Sequence, residues 1–250
     1  MMKVSIIIAS YNSSDTLPQA LDSILEQTYS DLEIIIVDGC STDRTVELVR
    51  RQYCRENVRW LVEQDRGIYD AMNKGVAIAN GDWLFFMGAD DRLHDKNVVM
   101  DMFGRDHFQE QYGAIIGDIL FDNKKKRKSS VSSWTQYINT VHHQSVFYSK
   151  ELFTSFKYKE TYKVSADYEL NLRIFLYGIK VLKIDRIVCI VGLGGVSNKV
   201  SFTGYAEEMK IRNTYLRTSP LRIGMNLMTC MRYVIKKTGR LVGYNFHFYK

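Results

Sequence analysis

Hydrophobic positions in the first part of this chain come in two spacings that take turns. Val4 to Ala9 (VSIIIA), Glu33 to Val37 (EIIIV), Val58 to Val62 (VRWLV) and Trp83 to Met87 (WLFFM) are short apolar runs. Most are rich in β-branched or aromatic residues, as expected of parallel strands covered on both faces. Between them, Leu17, Ala20, Leu21, Ile24 and Leu25, then Val46 and Val49, then Ile68, Met72, Val76 and Ala79 recur at helical spacing. Asp15 is placed to cap the first helix, which runs to Thr28, and Ser41-Thr42-Asp43 opens the second. Strand and helix therefore alternate, which predicts an α/β fold on a parallel-rich central sheet. Right-handed crossovers put the four strand ends, at Asn12, Asp38, Asp65 and Asp90, along one edge.

The second half is less regular. Gly113 to Phe121 reads as a strand, and Asp122 to Lys128 (DNKKKRK) as a solvated turn or loop, because five adjacent cations repel one another. Val146 to Tyr148 is strand-like, and Tyr168 to Tyr177 is a helix opened by Asp167. Val181 to Ile184 and Ile187 to Val191 read as two short strands, and Gly192 to Asn198 (GLGGVSN) as a flexible turn. The N–H groups of that turn are able to approach a phosphate, with Lys199 adjoining. Leu221 to Arg240 is a further helix. At about 100° per residue, Arg222, Asn226, Thr229, Tyr233, Lys236, Lys237 and Arg240 form one polar stripe, with Leu221, Ile223, Met225, Leu227, Met228, Met231, Val234 and Ile235 filling the remainder. Such a helix lies in a membrane interface or packs back on the domain.

Composition narrows the class. A chain of 250 residues, 46% hydrophobic with only 2 prolines, buries one large core and has no Pro-rich linker. No apolar run approaches the roughly 18–20 residues of a membrane span, and MMKVSIII leads directly into a strand, so a cytoplasmic protein is expected. Cys40, Cys54, Cys189 and Cys230 are scattered, which argues against a zinc site or a disulfide framework. The net charge of +6 is uneven, with acids early and cations late, pointing to an anionic surface partner but to no nucleic acid.

The chemistry concentrates between Glu63 and Asp91 (EQDRGIYDAMNKGVAIANGDWLFFMGADD). Any one of the four polar strand ends is explained by a turn or a helix cap. All four on one edge are not, because that edge is where open parallel sheets bind ligands. A nucleotide pocket needs carboxylates for the base and ribose, and another for Mg²⁺ at the phosphates. In the second half, His142 and His143 on an extended segment point to opposite faces. His143, with Gln144 beside it, is a candidate for the acceptor cleft, the alternative being a structural role. Asp167 is a helix cap, a base, or both.

SIIIASYN, QTYSDLEIIIVDGCSTDRT and the Glu63–Asp91 stretch together resemble the nucleotide-binding half of the inverting family 2 glycosyltransferases of GT-A fold. HQSVFYSKELF, SADYEL and GGVSN are similar to the bacterial subgroup of capsule, O-antigen and exopolysaccharide assembly. The resemblance implies a single GT-A domain over residues 1–220, with a nucleotide-binding half (1–112) and an acceptor-side lobe (113–220), followed by a basic amphipathic tail (221–250). It implies a nucleotide-sugar donor, usually UDP-linked, on Ser10, Tyr11, Asn12, Asp38, Asp65, Asp70, Asn73 and Lys199. Mg²⁺ or Mn²⁺ would sit on Asp90, helped by Asp91, with His143 and Gln144 at the acceptor and Asp167 as base. The acceptor would be a glycan or a polyprenyl-diphosphate-linked glycan, with peripheral membrane contact through the tail. Three positions depart from the family pattern: Gly39, Gly88 and Ala166 stand where acids are common. A sugar nucleotidyltransferase and a non-catalytic nucleotide- or glycan-binding module are the alternatives.

Overall fold

The computed structural model describes residues 2–104, 111–192, 202–216 and 221–241. Strands β1 (Val4–Ser10), β2 (Leu32–Asp38), β3 (Val58–Val62) and β4 (Trp83–Gly88) lie parallel in the order β3-β2-β1-β4. The register pairs Ser10 with Asp38, Asp38 with Val62 and Ala9 with Gly88, so the four carboxyl ends are level. Side chains on these strands alternate between two cores, as the pleat requires. Ile6, Ile8, Ile34 and Ile36 enter one core with helix α1 (Leu17–Leu25) and with Val49 of helix α2 (Thr45–Gln52). Ile7, Ile35 and Val37 enter the other with Met72 of helix α3 (Ile68–Ile78). Both faces are therefore covered, which is why these strands read as continuous apolar runs.

Two local readings change. The α1 N-cap is Thr16 and not Asp15, and the helix ends at Leu25 and not Thr28. Pro18 sits in the first turn, where a missing N–H costs nothing. A two-residue strand β5 (Arg92–Leu93) and helix α4 (Val98–Phe103) follow β4, too short for periodicity to reveal.

Beyond β4 the sheet becomes mixed. Its order continues through β8 (Val146–Ser149), β6 (Ala114–Phe121), β9 (Val181–Val191) and β5. The cationic run is not all loop, because Lys126–Lys128 forms β7 on β6. Burial of Asp118 is the reason: Lys126 Nζ lies 3.2 Å from its carboxylate, and Lys183 reaches it as well. The two short strands expected after residue 180 are one strand, β9. Its register slips around Gly117 on β6, where a Cβ would lie 2.6 Å from the Arg186 carbonyl oxygen. Helices α5 (Ala166–Leu176), α6 (Phe202–Tyr215) and α7 (Leu221–Leu241) complete the described chain, α5 adding Leu170, Leu172 and Ile174 to the second core.

Candidate active site

The loops after β1 and β2 are laced together. Asn12, in the left-handed region at φ 49°, accepts from the Thr42 N–H at 2.8 Å and donates its own N–H to Ser41 Oγ at 2.7 Å. Asp38 accepts from the Ser41 N–H and hydroxyl, each at 2.7 Å, and is fully buried. With no exposed surface, the Asp38 carboxylate shapes this turn, Ser41 engaging both of its oxygens. Ser10 is buried as well, while Tyr11 stands 60% exposed over the loop. Asp65 is the partly exposed carboxylate of this end, accepting from Gly67 N–H at 2.9 Å. Its Oδ2 lies 2.5 Å from where a Cβ of residue 39 would be, so Asp65 fills the space that an acid at Gly39 would need.

Two further residues of the expected donor set, Asn73 and Asp70, make contacts within the fold. Both ends of the Asn73 amide bond the Tyr158 backbone, at 2.8 and 3.0 Å, tying α3 to the segment before residue 160. Asp70 is buried and takes the Arg66 N–H at 3.0 Å, with the Arg66 and Lys74 cations each at 3.6 Å. These contacts outweigh its desolvation and hold its carboxyl below the usual range. Lys199 and most of the glycine-rich turn lie outside the described residues.

Asp90 and Asp91 follow β4. Asp91 is buried and accepts from Gly88 N–H at 2.8 Å, Gly192 N–H at 3.0 Å and Gln144 Nε2 at 3.4 Å. Burial and the Asp90 charge push its carboxyl up. Asp91 thereby locks the end of β4 to the end of β9. The carboxylate of Asp90 is half-buried and makes no hydrogen bond or ion pair to any described group. A side chain at Gly88 would start 2.9 Å from Asp91 Oδ2 and 3.0 Å from Asp90 Oδ1, so the pair already fills that corner. Among the described residues no group of three or more His, Cys, Asp or Glu could hold a metal ion. One unpaired carboxylate fits a Mg²⁺- or Mn²⁺-type site only where diphosphate oxygens and water supply the other ligands.

Across the crevice, Asp167 in the first turn of α5 is buried. It caps nothing. The N–H groups entering α5, from Lys163, Val164 and Ser165, go instead to Glu207 of α6, at 2.6 to 2.9 Å. The Asp167 carboxylate accepts from the Tyr69 hydroxyl at 3.4 Å and Asn139 Nδ2 at 3.2 Å, and His143 Nδ1 stands 3.6 Å away. Burial and the Asp167 charge push the Tyr69 phenol far up, keeping it a donor. Asn171 Nδ2 donates to Asn139 Oδ1 at 3.2 Å, and Tyr148 donates to Asn171 at 2.9 Å. Ala166, where an acid is common, is fully buried in the second core. His143 and Gln144 begin a 3-10 turn and reach Asp167 and Asp91 respectively, so consecutive residues span from the buried acid to the β4 end. His142 turns away, edge-on to Phe121. Tyr69, Asn139, Asn171 and Tyr148 have no place in the sequence reading, because two tyrosines and two asparagines spread over about a hundred positions carry no local signal.

Carboxylates at the level ends of parallel strands, facing a buried acid from an added half, define a glycosyltransferase of GT-A type. The chain belongs to glycosyl transferase family 2, whose sequence model matches residues 5–166. It is 33% identical over 203 residues to the PGL/p-HBAD biosynthesis glycosyltransferase of Mycobacterium bovis, covering 78% of this chain and 79% of that one. An uncharacterized glycosyltransferase of Mycobacterium tuberculosis is 31% identical over 183 residues, 69% of each chain. Among solved structures, S. aureus TarS 1-349 with UDP-GlcNAc superposes with a TM-score of 0.72 at 18% identity, covering 95% of this chain and 75% of that one. The mannosyltransferase PcManGT from Pyrobaculum calidifontis, with GDP-Man and Mn²⁺, gives 0.65 at 17%, covering 97% and 79%. At those identities the likeness is one of fold.

Proposed function

We propose that this glycosyltransferase is inverting and moves a sugar from a UDP-sugar to a hydroxyl of a glycan or lipid-linked glycan, in assembly of bacterial surface polysaccharide. The observation that carries this reading is the Asp167 carboxylate, buried yet unused by its own helix and held by Tyr69 and Asn139. Residues 1–112 would hold the donor, with Asp65 and Tyr11 at the nucleoside end and Asp90 at the diphosphate. Residues 113–220 would hold the acceptor, with His143 and Gln144 between the two. Asp167 takes the proton of the acceptor hydroxyl as its oxygen attacks the anomeric carbon. The bond from that carbon to the diphosphate oxygen breaks, its electron pair leaving with UDP, and the configuration inverts. A divalent cation on Asp90 would neutralise charge on the departing diphosphate. Complexes of structural neighbours with UDP-GlcNAc and with GDP-Man support a nucleoside-diphosphate sugar as donor.

The test is Asp167→Asn, which keeps the size and one of the two acceptor oxygens but cannot take a proton. Turnover should fall by a factor on the order of 10² to 10⁴ with donor affinity nearly unchanged. Equal turnover by variant and parent would end Asp167's role as base.

A further inference from the structure

Residues 130–140, between β7 and β8, form a closed loop. The Ser130 N–H donates to the Thr140 carbonyl at 3.3 Å, and the Thr140 hydroxyl donates back to the Ser130 carbonyl at 2.7 Å. Inside, the Thr135 hydroxyl meets the Thr140 hydroxyl at 2.7 Å and accepts from the Ser132 N–H at 3.0 Å, while Ser132 Oγ accepts from the Trp134 N–H at 3.3 Å. Thr135 is fully buried. Compact loops whose ends meet and whose own side chains fill them keep a fixed shape and are frequently functional. The shape kept here holds an indole out. Trp134 lies on a 3-10 turn (Ser133–Gln136) and is 60% exposed, although tryptophan is among the more deeply buried residue types on average. Residues three apart eclipse in such a turn, so the Tyr137 ring stands edge-on to the indole, with centroids 6.2 Å apart. The same turn leads to the buried acid. The Trp134 carbonyl accepts from the Ile138 N–H at 3.1 Å, and the next residue, Asn139, donates to Asp167 at 3.2 Å. Side chains four apart on a helical turn start about 5–6 Å from one another, so the indole is set one turn of chain from the hold on Asp167.

We propose that Trp134 is the platform on which a sugar ring of the acceptor stacks. The inference rests on the glycosyl-transfer reading and names a subsite for its acceptor. The surroundings choose the ligand. A lipid or a protein partner is met by a contiguous apolar patch, but Trp134 is flanked by Ser133, Thr135 and Gln136. Among the described residues, the Ser133 hydroxyl, the Gln136 amide and Trp134 Nε1 have no hydrogen-bonding partner. One aromatic face rimmed by free donors and acceptors matches a pyranose, which offers one face of C–H bonds rimmed by hydroxyls. A ring already held in place also needs little ordering when the ligand arrives.

The test is an array of bacterial surface polysaccharides, read with the labelled whole chain and its variants. The parent should bind a subset of the glycans. Trp134→Ala should lose at least about tenfold of that binding, and Trp134→Phe, which keeps an aromatic face, should lose less. Tyr177, just past α5 and 63% exposed, is the control: Tyr177→Ala should bind as the parent does. Binding should persist in raised salt, because stacking is not a pairing of charges. No glycan bound by the parent, equal binding by Trp134→Ala, an equal loss in Tyr177→Ala, or binding that salt removes would each overturn the proposal. So would a parent that is dimeric in sedimentation while Trp134→Ala is monomeric, which would give the ring to a second copy. Hydrolysis of UDP- and GDP-sugars by the parent reads the transferase chemistry separately. A parent that shows the loss on the array but hydrolyses no sugar nucleotide keeps the stacking site and ends only the transfer reading.

Discussion

Asp90 and Asp91 are adjacent in sequence and do unlike work, because only one of them has backbone N–H groups to receive. Asp90→Ala should leave the fold intact and abolish any metal dependence of UDP binding, measured by titration calorimetry with and without Mn²⁺. Unchanged metal dependence would move the metal elsewhere. Tyr69→Phe removes one donor from the Asp167 carboxylate and an acceptor beside the Ala166 and Asp167 N–H groups, so turnover should fall on the order of tenfold while donor affinity holds. Glu33 shows the same logic in the fold. It is buried at the far end of β2, accepting from Ser5 Oγ and Asn80 N–H, each at 2.5 Å, and from Gly81 N–H at 3.0 Å. Burial opposes its ionisation, but Ser5, Asn80, Lys3 and Gly81 outweigh that and hold its carboxyl below the ordinary glutamate value. A carboxyl depressed in the folded state contributes stability above its unfolded pKa, and loses it as pH falls through the folded one. Glu33→Gln should therefore cost about 1–3 kcal/mol at neutral pH, seen in urea unfolding. The gap to the parent should close as the pH drops below the usual glutamate range.

At the scale of elements, one buried cation ties the last three helices together. Arg212 on α6 is fully buried, bonds Asn226 and Thr229 of α7, and touches Tyr168 of α5. Arg212→Leu keeps an apolar contact but leaves Asn226 and Thr229 without their donor. Hydrogen bonds to a charged group are worth about 1.5–3 kcal/mol each, so α7 should loosen first. Hydrogen exchange should quicken over residues 221–241 while β1 to β4 stay protected. Uniform exchange with the parent would mean that the helix is held by other contacts. The loops behave alike: Asn12, read from sequence as a donor contact, is also the strut that carries the β1 loop on the β2 loop.

For the molecule as a whole, a ligand that binds only the folded chain raises its stability by linkage. A UDP-sugar at about a hundredfold over its dissociation constant should add about 2.7 kcal/mol when a divalent cation is present, read as a rise in melting temperature. No shift with UDP- or GDP-sugars would sink the donor assignment. Cation-independent shifts would restrict the revision to the metal.

The parallel half was legible because its physics is local. Strands covered on both faces must be continuously apolar, amphipathic helices must repeat near 3.6, and right-handed crossovers then align the strand ends. Hence β1 to β4 and α1 to α3 were placed from pattern alone, with α1 overrun by three residues. The same pattern put polar residues on the binding edge but could not say which would be exposed. Asp38 and Asp91 were drawn inward by backbone N–H groups, Asp91's reaching it from the end of β9, while Asp65 and Asp90 were left facing out. Asp118 turned part of a cationic loop into β7, a pairing that sequence distance hides. The helix α7 was predictable as amphipathic. Which side it turns inward depended on Arg212 and Glu208 from another helix, and a wheel drawn from one segment contains no partner. Periodicity determines which residues share a face; only the tertiary structure, by bringing distant charges and hydrogen-bonding groups together, decides what that face meets.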